Sequence, residues 1–349
     1  MNPLIGSILV AIGGFSSASV YVPIYKVKGW AWETFWISLG FVAWVIMPQI
    51  GGWLTTPDHW AIIFACPIEN IVWTYFFGVL WGIGGLTCAL GLRYLGMSLG
   101  NSLELGFCAA FGTIIPPVFA GTAKSLFTTV SGLTVMVGVL VCLIGIAVCG
   151  YAGLLKEWLL TEEQKTQAVS QKEFAFWKGI LVAVIGGAMS ASMAFAFEAG
   201  KPIAEAALAA GVQDVFKNIP VLIVALAGGF TTNLCATFVM HARNRTFHNY
   251  VAGPGPRLMS NYFLAALAGI LWYGQYFFYG MGTTKMGKYD FSSWSLFMSF
   301  IIIGSNLWGI VLKEWKLVNR RTWVVLWVGI VVLIISTVII GWGNSLAAR

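Results

Sequence analysis

The sequence predicts an all-α integral membrane protein: ten transmembrane helices arranged as two inverted five-helix repeats. Three observations predict it. The 349-residue chain is 58% hydrophobic and only 9% charged, with a mean hydropathy of +0.83; a soluble domain carries about 25% charged residues. Ten continuously apolar segments follow one another, each near the roughly 20 residues needed to cross a hydrocarbon core. Finally, the string Gly13-Gly14-Phe15-Ser16-Ser17-Ala18-Ser19 returns as Gly186-Gly187-Ala188-Met189-Ser190-Ala191-Ser192. Self-similarity at a fixed offset marks an internal repeat, and an odd number of spans per copy turns the second copy over in the membrane.

The segments run at 4–24, 33–54, 71–92, 97–119, 130–153, 178–198, 219–240, 260–281, 290–311 and 323–343. Their unbroken apolar character fits helices; barrel strands would alternate. The first has no basic region before Leu4 and no small-residue cleavage site, so it is expected to be retained as a span. The second opens in the tryptophan-rich run Trp30-Ala31-Trp32-Glu33-Thr34-Phe35-Trp36. The third holds Gly78-Val79-Leu80-Trp81, echoed by Gly269-Ile270-Leu271-Trp272 in the eighth. After the fifth, a charged link at 155–177 carries Glu157, Glu162 and Glu163 among lysines and reads as a solvated tether. The halves are therefore 1–172 and 173–349, one transporter domain overall. The pairs Gly13/Gly14 and Gly186/Gly187, with Gly82, Gly84 and Gly85, are expected at close helix contacts.

Charge sets the orientation. Fourteen Lys and Arg fall in the odd-numbered loops and six in the even loops and tail. The positive-inside rule places the odd loops in the cytoplasm and both termini outside, in the periplasm. The net charge of +7 sits in these loops, which fits a membrane partner and not nucleic acid.

Several chemistries are excluded. Gly282-Thr283-Thr284-Lys285-Met286-Gly287-Lys288 matches a phosphate-loop spacing, but Tyr289 stands where Ser or Thr is required and an apolar span precedes it instead of a strand. His59, His241 and His248 form no metal or catalytic spacing, and no nucleophile-elbow or zinc-protease motif occurs. Cys66, Cys88, Cys108, Cys142, Cys149 and Cys235 show no paired spacing and read as small core residues. No metal, cofactor or enzyme activity is expected.

Polar groups within the bilayer are costly and line cavities, so they carry the search for a site. Glu104 lies within the fourth segment with Asn101 and Cys108 on its face. It serves either as a proton or substrate ligand or as a carboxyl buried against a lysine or loop backbone. Glu33 either caps the second helix or belongs to a sugar or ion site among the tryptophans. Glu198 faces water or Lys201. Asp290 either caps the ninth helix or joins in coupling. In the eighth segment Trp272, Gln275 and Tyr279 share a face, with Trp81 the first-half counterpart of Trp272. An aromatic plate beside a bidentate amide suits a neutral polyhydroxyl ligand; aromatic packing, with Gln275 bonded to a neighbouring helix, is the alternative.

These residues carry a resemblance. Tyr25-Lys26-Val27-Lys28 with Trp32-Glu33-Thr34, Arg93-Tyr94-Leu95-Gly96-Met97-Ser98, Ala199-Gly200-Lys201-Pro202, Trp272-Tyr273 with Gln275 and Phe277-Phe278-Tyr279, Tyr289-Asp290 with Trp294, and Val311-Leu312-Lys313-Glu314-Trp315 before Arg320-Arg321 follow one another along the chain. Together they resemble the L-rhamnose–proton symporters of the drug/metabolite transporter superfamily. The resemblance implies ten helices, uptake across a bacterial inner membrane and proton coupling, with Glu33, Gln275 and Asp290 at motif positions. Glu104 and Glu198 do not occupy motif positions; the family is expected to carry neutral residues there, a departure that leaves open an altered coupling ion or sugar.

The expected function is proton-coupled uptake of L-rhamnose or a related sugar. Trp81, Trp272 and Tyr279 would stack on the sugar, Asn101 and Gln275 would read its hydroxyls, and Glu33, Glu104 or Asp290 would carry the proton. Sodium remains open as the coupling ion. An exporter or facilitator of another metabolite, a membrane enzyme acting on lipid-linked sugar and a non-transporting sugar sensor are the alternatives.

Overall fold

The computed structural model describes residues 2–95, 97–119, 121, 123–159, 176–252, 255–287, 292–316 and 318–347. Among them every regular element is helical. The long elements are α1 (Pro3–Ser19), α2 (Trp32–Thr55), α3 (Ile68–Leu95), α4 (Met97–Phe119), α5 (Val130–Trp158), α6 (Phe176–Ala199), α7 (Ile219–Asn244), α8 (Gly255–Thr283), α9 (Ser293–Val311) and α10 (Arg320–Ala347). Among the described residues, seven helices are long and apolar enough to cross a membrane, or eight if the short helix His59–Ala65 and α3, bent by 112°, make one broken span. Asn261 and Gln275, with several tyrosines and glycines, dilute the apolar character of α8. Large apolar side chains cover the outside, among them Trp53, Phe64, Trp177 and Trp342. Such a surface suits a multi-pass membrane protein and not one bathed in water.

Prolines explain where the helices depart from regularity. α1 ends at Ser19 and a short turn, Tyr21–Ile24, follows, because Pro23 has no N–H to offer the Ser19 carbonyl. Inside α2 a π-helical turn covers Val42–Ile46. Pro48 likewise cannot bond the Trp44 carbonyl, and the helix relieves the defect by widening one turn. That turn orients Trp44 toward the centre of the molecule, where it is buried.

The packing exchanges partners between the two ends of the sequence. α1 packs on α8 and α9, while α6 packs on α3 and α4; α5 packs on α10. Glycines permit these contacts. A carbon placed on Gly14 would stand 2.5 Å from Cβ of Phe300 in α9, and one on Gly187 would stand 2.5 Å from Cβ of Phe107 in α4. Neighbouring Gly13 abuts α8 at Gln275, and Gly186 abuts α3 at Thr87 and α4 at Glu104. Without a hydrophobic force between helices in lipid, such close backbone approach is a main source of cohesion.

The connecting segments separate into two faces. On one, Arg257 Nε donates to the Lys28 carbonyl at 3.1 Å, Lys156 pairs with Glu314 at 3.0 Å and lies over Trp315. On the other, Lys201 pairs with Glu198 at 2.6 Å, and Asp214 takes both Lys217 and Lys285. Contacts between loops thus join odd with odd and even with even.

Candidate functional site

The centre of the molecule is an aromatic column between α2, α3, α7, α8 and α9. Trp32 stacks on Trp36. Trp36 meets Trp44 and Trp272 edge-on, at centroid distances of 6.0 and 5.4 Å. Trp44 meets Trp81 at 5.9 Å and Trp272 at 6.1 Å, again edge-on. The column continues from Trp81 through Tyr276 and Phe297 to Tyr279 and Trp294. Each pair contributes about 0.5–1.5 kcal/mol beyond its buried area, so the rings form a stiff wall.

Polar groups along the wall are incompletely paired. Trp36 Nε1 donates to Asn233 Oδ1 at 2.8 Å, and Asn233 is anchored on the Gly229 carbonyl. By contrast, the indole N–H groups of Trp44 and Trp272 are buried with no hydrogen-bond partner. Gln275, one turn beyond Trp272, is 4% exposed, and among the described residues its amide forms no hydrogen bond. A buried unpaired donor costs about 1–3 kcal/mol. Unpaired donors beside a shared aromatic face are the means by which a protein holds a hydroxylated ring, apolar face against the indoles and hydroxyls against the N–H groups.

Trp81 and Trp272 therefore meet a common ring, Trp44, and Gln275 lies one turn from Trp272 on α8. Tyr279 lies one helical turn beyond Gln275. It sits further along the column against Phe197 and Trp294, and Ser293 donates to its hydroxyl at 3.3 Å. There it lines a separate cleft of about 260 Å³ with Phe197, Glu198, Lys201, Asn218 and Thr283. This cleft opens on the face of the even-numbered loops. Glu198 is held by Lys201, one of its two expected settings. The backbone of Asn101 belongs to α4 but its side chain lies outside the described residues, as does Asp290 altogether.

The two remaining carboxylates occupy different surroundings. Glu104 is 5% exposed and accepts from Ser190 of α6 at 3.3 Å, next to the close contact of Gly186 and Gly187. Glu33, 3% exposed, stands in the first turn of α2. Its carboxylate does more than cap the helix: Asn244 Nδ2 and Thr246 Oγ1 both donate to Oε1, at 2.9 and 2.7 Å. Behind Thr246 lies His241, with Nδ1 2.7 Å from the threonine hydroxyl and Nε2 2.9 Å from Tyr250 OH. Burial pushes the Tyr250 hydroxyl above the ordinary tyrosine range, with Tyr262 and Glu33 adding to the effect. Asn249 completes the turn by accepting from Ala31 N and Thr34 Oγ1.

Sequence reasoning missed Trp44, Asn233 and the whole 241–250 cluster. Pro48 was the available signal for Trp44. His241, Thr246 and Tyr250 gave none, since they meet Glu33 only across about 210 residues of chain.

Comparison with known proteins bears on what this arrangement carries. The family profile of the L-rhamnose-proton symport protein matches residues 2–346. Curated relatives from Yersinia pestis (strain Pestoides F) and Yersinia pseudotuberculosis serotype O:1b (strain IP 31758), each named L-rhamnose-proton symporter, are 36% identical over 345 residues, covering 98% of this chain and 98% of theirs.

Proposed function

The chain belongs to the L-rhamnose–proton symporter family, and from that premise we propose that it takes up L-rhamnose or a closely related sugar together with a proton, by alternating access across the bacterial inner membrane. The protein is a transporter and not an enzyme, as its relatives' names indicate.

In this reading the protein crosses the membrane ten times, as two inverted five-helix halves, 1–172 and 173–349, of the drug/metabolite transporter kind, with both termini periplasmic. The exchange of partners supports it: α1 on α8 and α9 mirrors α6 on α3 and α4. The sugar lies where the halves meet, between α2 and α3 of the first and α7 and α8 of the second. Trp81, Trp272 and Trp44 present faces and edges to its ring, while Gln275 and the two indole N–H groups bond its hydroxyls. Tyr279 stands in the outer cleft on the approach, with Asn101 on neighbouring α4. The proton is carried by a carboxylate, Glu33 foremost, with Glu104 and Asp290 as further candidates. Neutralising a buried carboxylate lowers the cost of closing the protein around the sugar, because an isolated buried charge is expensive. The two halves then rock about the site.

The carrying observation is the pair of buried, unpartnered indole N–H groups beside Gln275. Uptake of labelled L-rhamnose into proteoliposomes under an inward proton gradient tests the proposal. Gln275→Ala removes a hydrogen-bonding group, and a loss of about 1–3 kcal/mol corresponds to roughly 5- to 150-fold weaker apparent affinity in protein that still elutes as a single folded species. Wild-type affinity in that variant would remove Gln275 from the site.

A further inference from the structure

The Glu33 cluster has a direction. An ionised carboxylate only accepts hydrogen bonds. Thr246 has one hydroxyl proton and donates it to Glu33 Oε1. The threonine oxygen therefore accepts from His241, which fixes the ring as the Nδ1–H tautomer, 2.7 Å away. Nε2 then lacks a proton and accepts from Tyr250 OH at 2.9 Å. All three donors point the same way, from the half-buried Tyr250 inward to Glu33. Among the described residues no lysine or arginine pairs with Glu33. The titratable groups around it are His241 and Tyr250, with Tyr262 donating to the Tyr250 carbonyl and His248 reached through Asn249.

We infer that Thr246, His241 and Tyr250 form a proton relay between Glu33 and the solvent at the odd-loop face. The inference deepens the proposal above and rests on its assignment of Glu33 as a proton carrier. When Glu33 is protonated the chain of bonds runs outward: the carboxyl donates to Thr246, Thr246 to His241 Nδ1, Nε2–H to Tyr250, and Tyr250 to water. Release moves one proton along each bond. Glu33 loses one, Thr246 and His241 each gain one and lose one, and Tyr250 passes one to water and receives one from Nε2. No atom carries a lasting charge except Glu33, which ends ionised with every bond reversed. That reversed set is the arrangement described here. The relay gives a carboxyl buried under Asn244 and the 246–250 turn a route to water on the side where the positive-inside rule places the cytoplasm.

The test separates proton release from sugar movement in proteoliposomes of the full-length protein. Initial gradient-driven uptake needs release of the proton in every cycle; exchange of labelled for unlabelled sugar does not. In Thr246→Val, which keeps the shape and removes the hydroxyl, gradient-driven uptake should fall roughly 10²-fold, the low end of what a positioned proton-transfer group contributes. Exchange should fall by much less, and Thr246→Ser should restore both. An equal fall in uptake and exchange, or unchanged uptake, overturns the relay. Glu33→Gln keeps the two layers of argument apart. If it retains gradient-driven uptake, the assignment of Glu33 fails and the relay with it. If Glu33→Gln abolishes uptake while Thr246→Val does not, the relay alone fails.

Discussion

Trp81 and Trp272, which end the similar strings Gly78-Val79-Leu80-Trp81 and Gly269-Ile270-Leu271-Trp272, meet the same ring. Both approach Trp44 edge-on, at 5.9 and 6.1 Å, from opposite ends of the chain. A third indole thus joins the two, and Trp44 is presented by the π-helical turn of α2. The two regular helices supply the walls, and the irregular turn of α2 supplies the centre of the proposed sugar site.

Trp272→Phe keeps an aromatic face and removes the unpaired N–H. Sugar affinity is expected to fall by about three- to tenfold, the value of one hydrogen bond of roughly 0.5–1.5 kcal/mol. Thermal unfolding in detergent reads it out, since a ligand that binds the folded state raises the midpoint. The rise produced by a fixed sugar concentration should shrink. An undiminished rise would assign Trp272 to packing alone.

Gly14→Leu and Gly187→Leu should damage the protein alike. Each forces side-chain atoms into α9 or α4, where a first added carbon already stands 2.5 Å from Cβ of Phe300 or Phe107. Overpacking costs about 1–3 kcal/mol, which lowers the midpoint and the yield of monodisperse protein. Tolerance of one substitution but not the other would break the equivalence of the two contacts.

Lys156→Ala is expected to do little. The Lys156–Glu314 pair is partly exposed, and pairs of this kind contribute about 0–1 kcal/mol. Uptake and midpoint should stay near wild type. A loss of transport would give this cluster, which also includes Tyr25 bonded to Glu314, a part in the conformational change.

The orientation has its own check. A phosphatase reporter that is active only outside the cytoplasm, fused after Arg349, should be active, and the same reporter inserted in the 160–175 link should be inactive. The reverse pattern would invert the orientation, and with it the side to which the Glu33 relay leads.

Much of the fold was legible because membranes simplify the code. A span must satisfy its own backbone in lipid, so unbroken apolar runs translate directly into helices. The runs at 130–153 and 323–343 correspond to α5 and α10, which pack together. The repeated glycine pairs identified contact faces because only residues without side chains permit such approach. Boundaries shifted by a few residues, as at α8, which begins at Gly255 and not at 260.

The sequence by itself determined the helical class, the apolar runs that become helices, the glycine pairs at close contacts and the aromatic character of α8. Each is a local property, readable from composition, periodicity or spacing within one segment. Only the tertiary structure decided which polar groups meet. Trp36 finds Asn233 across 197 residues and Glu33 finds Thr246 across 213, and no local pattern encodes such distances. It also showed that Tyr279, on the same helix face as Trp272 and Gln275, lines a cleft with Phe197, Glu198 and Lys201. A helix rises about 1.5 Å per residue, so seven residues along one face span about 10 Å, enough to carry Tyr279 to that cleft.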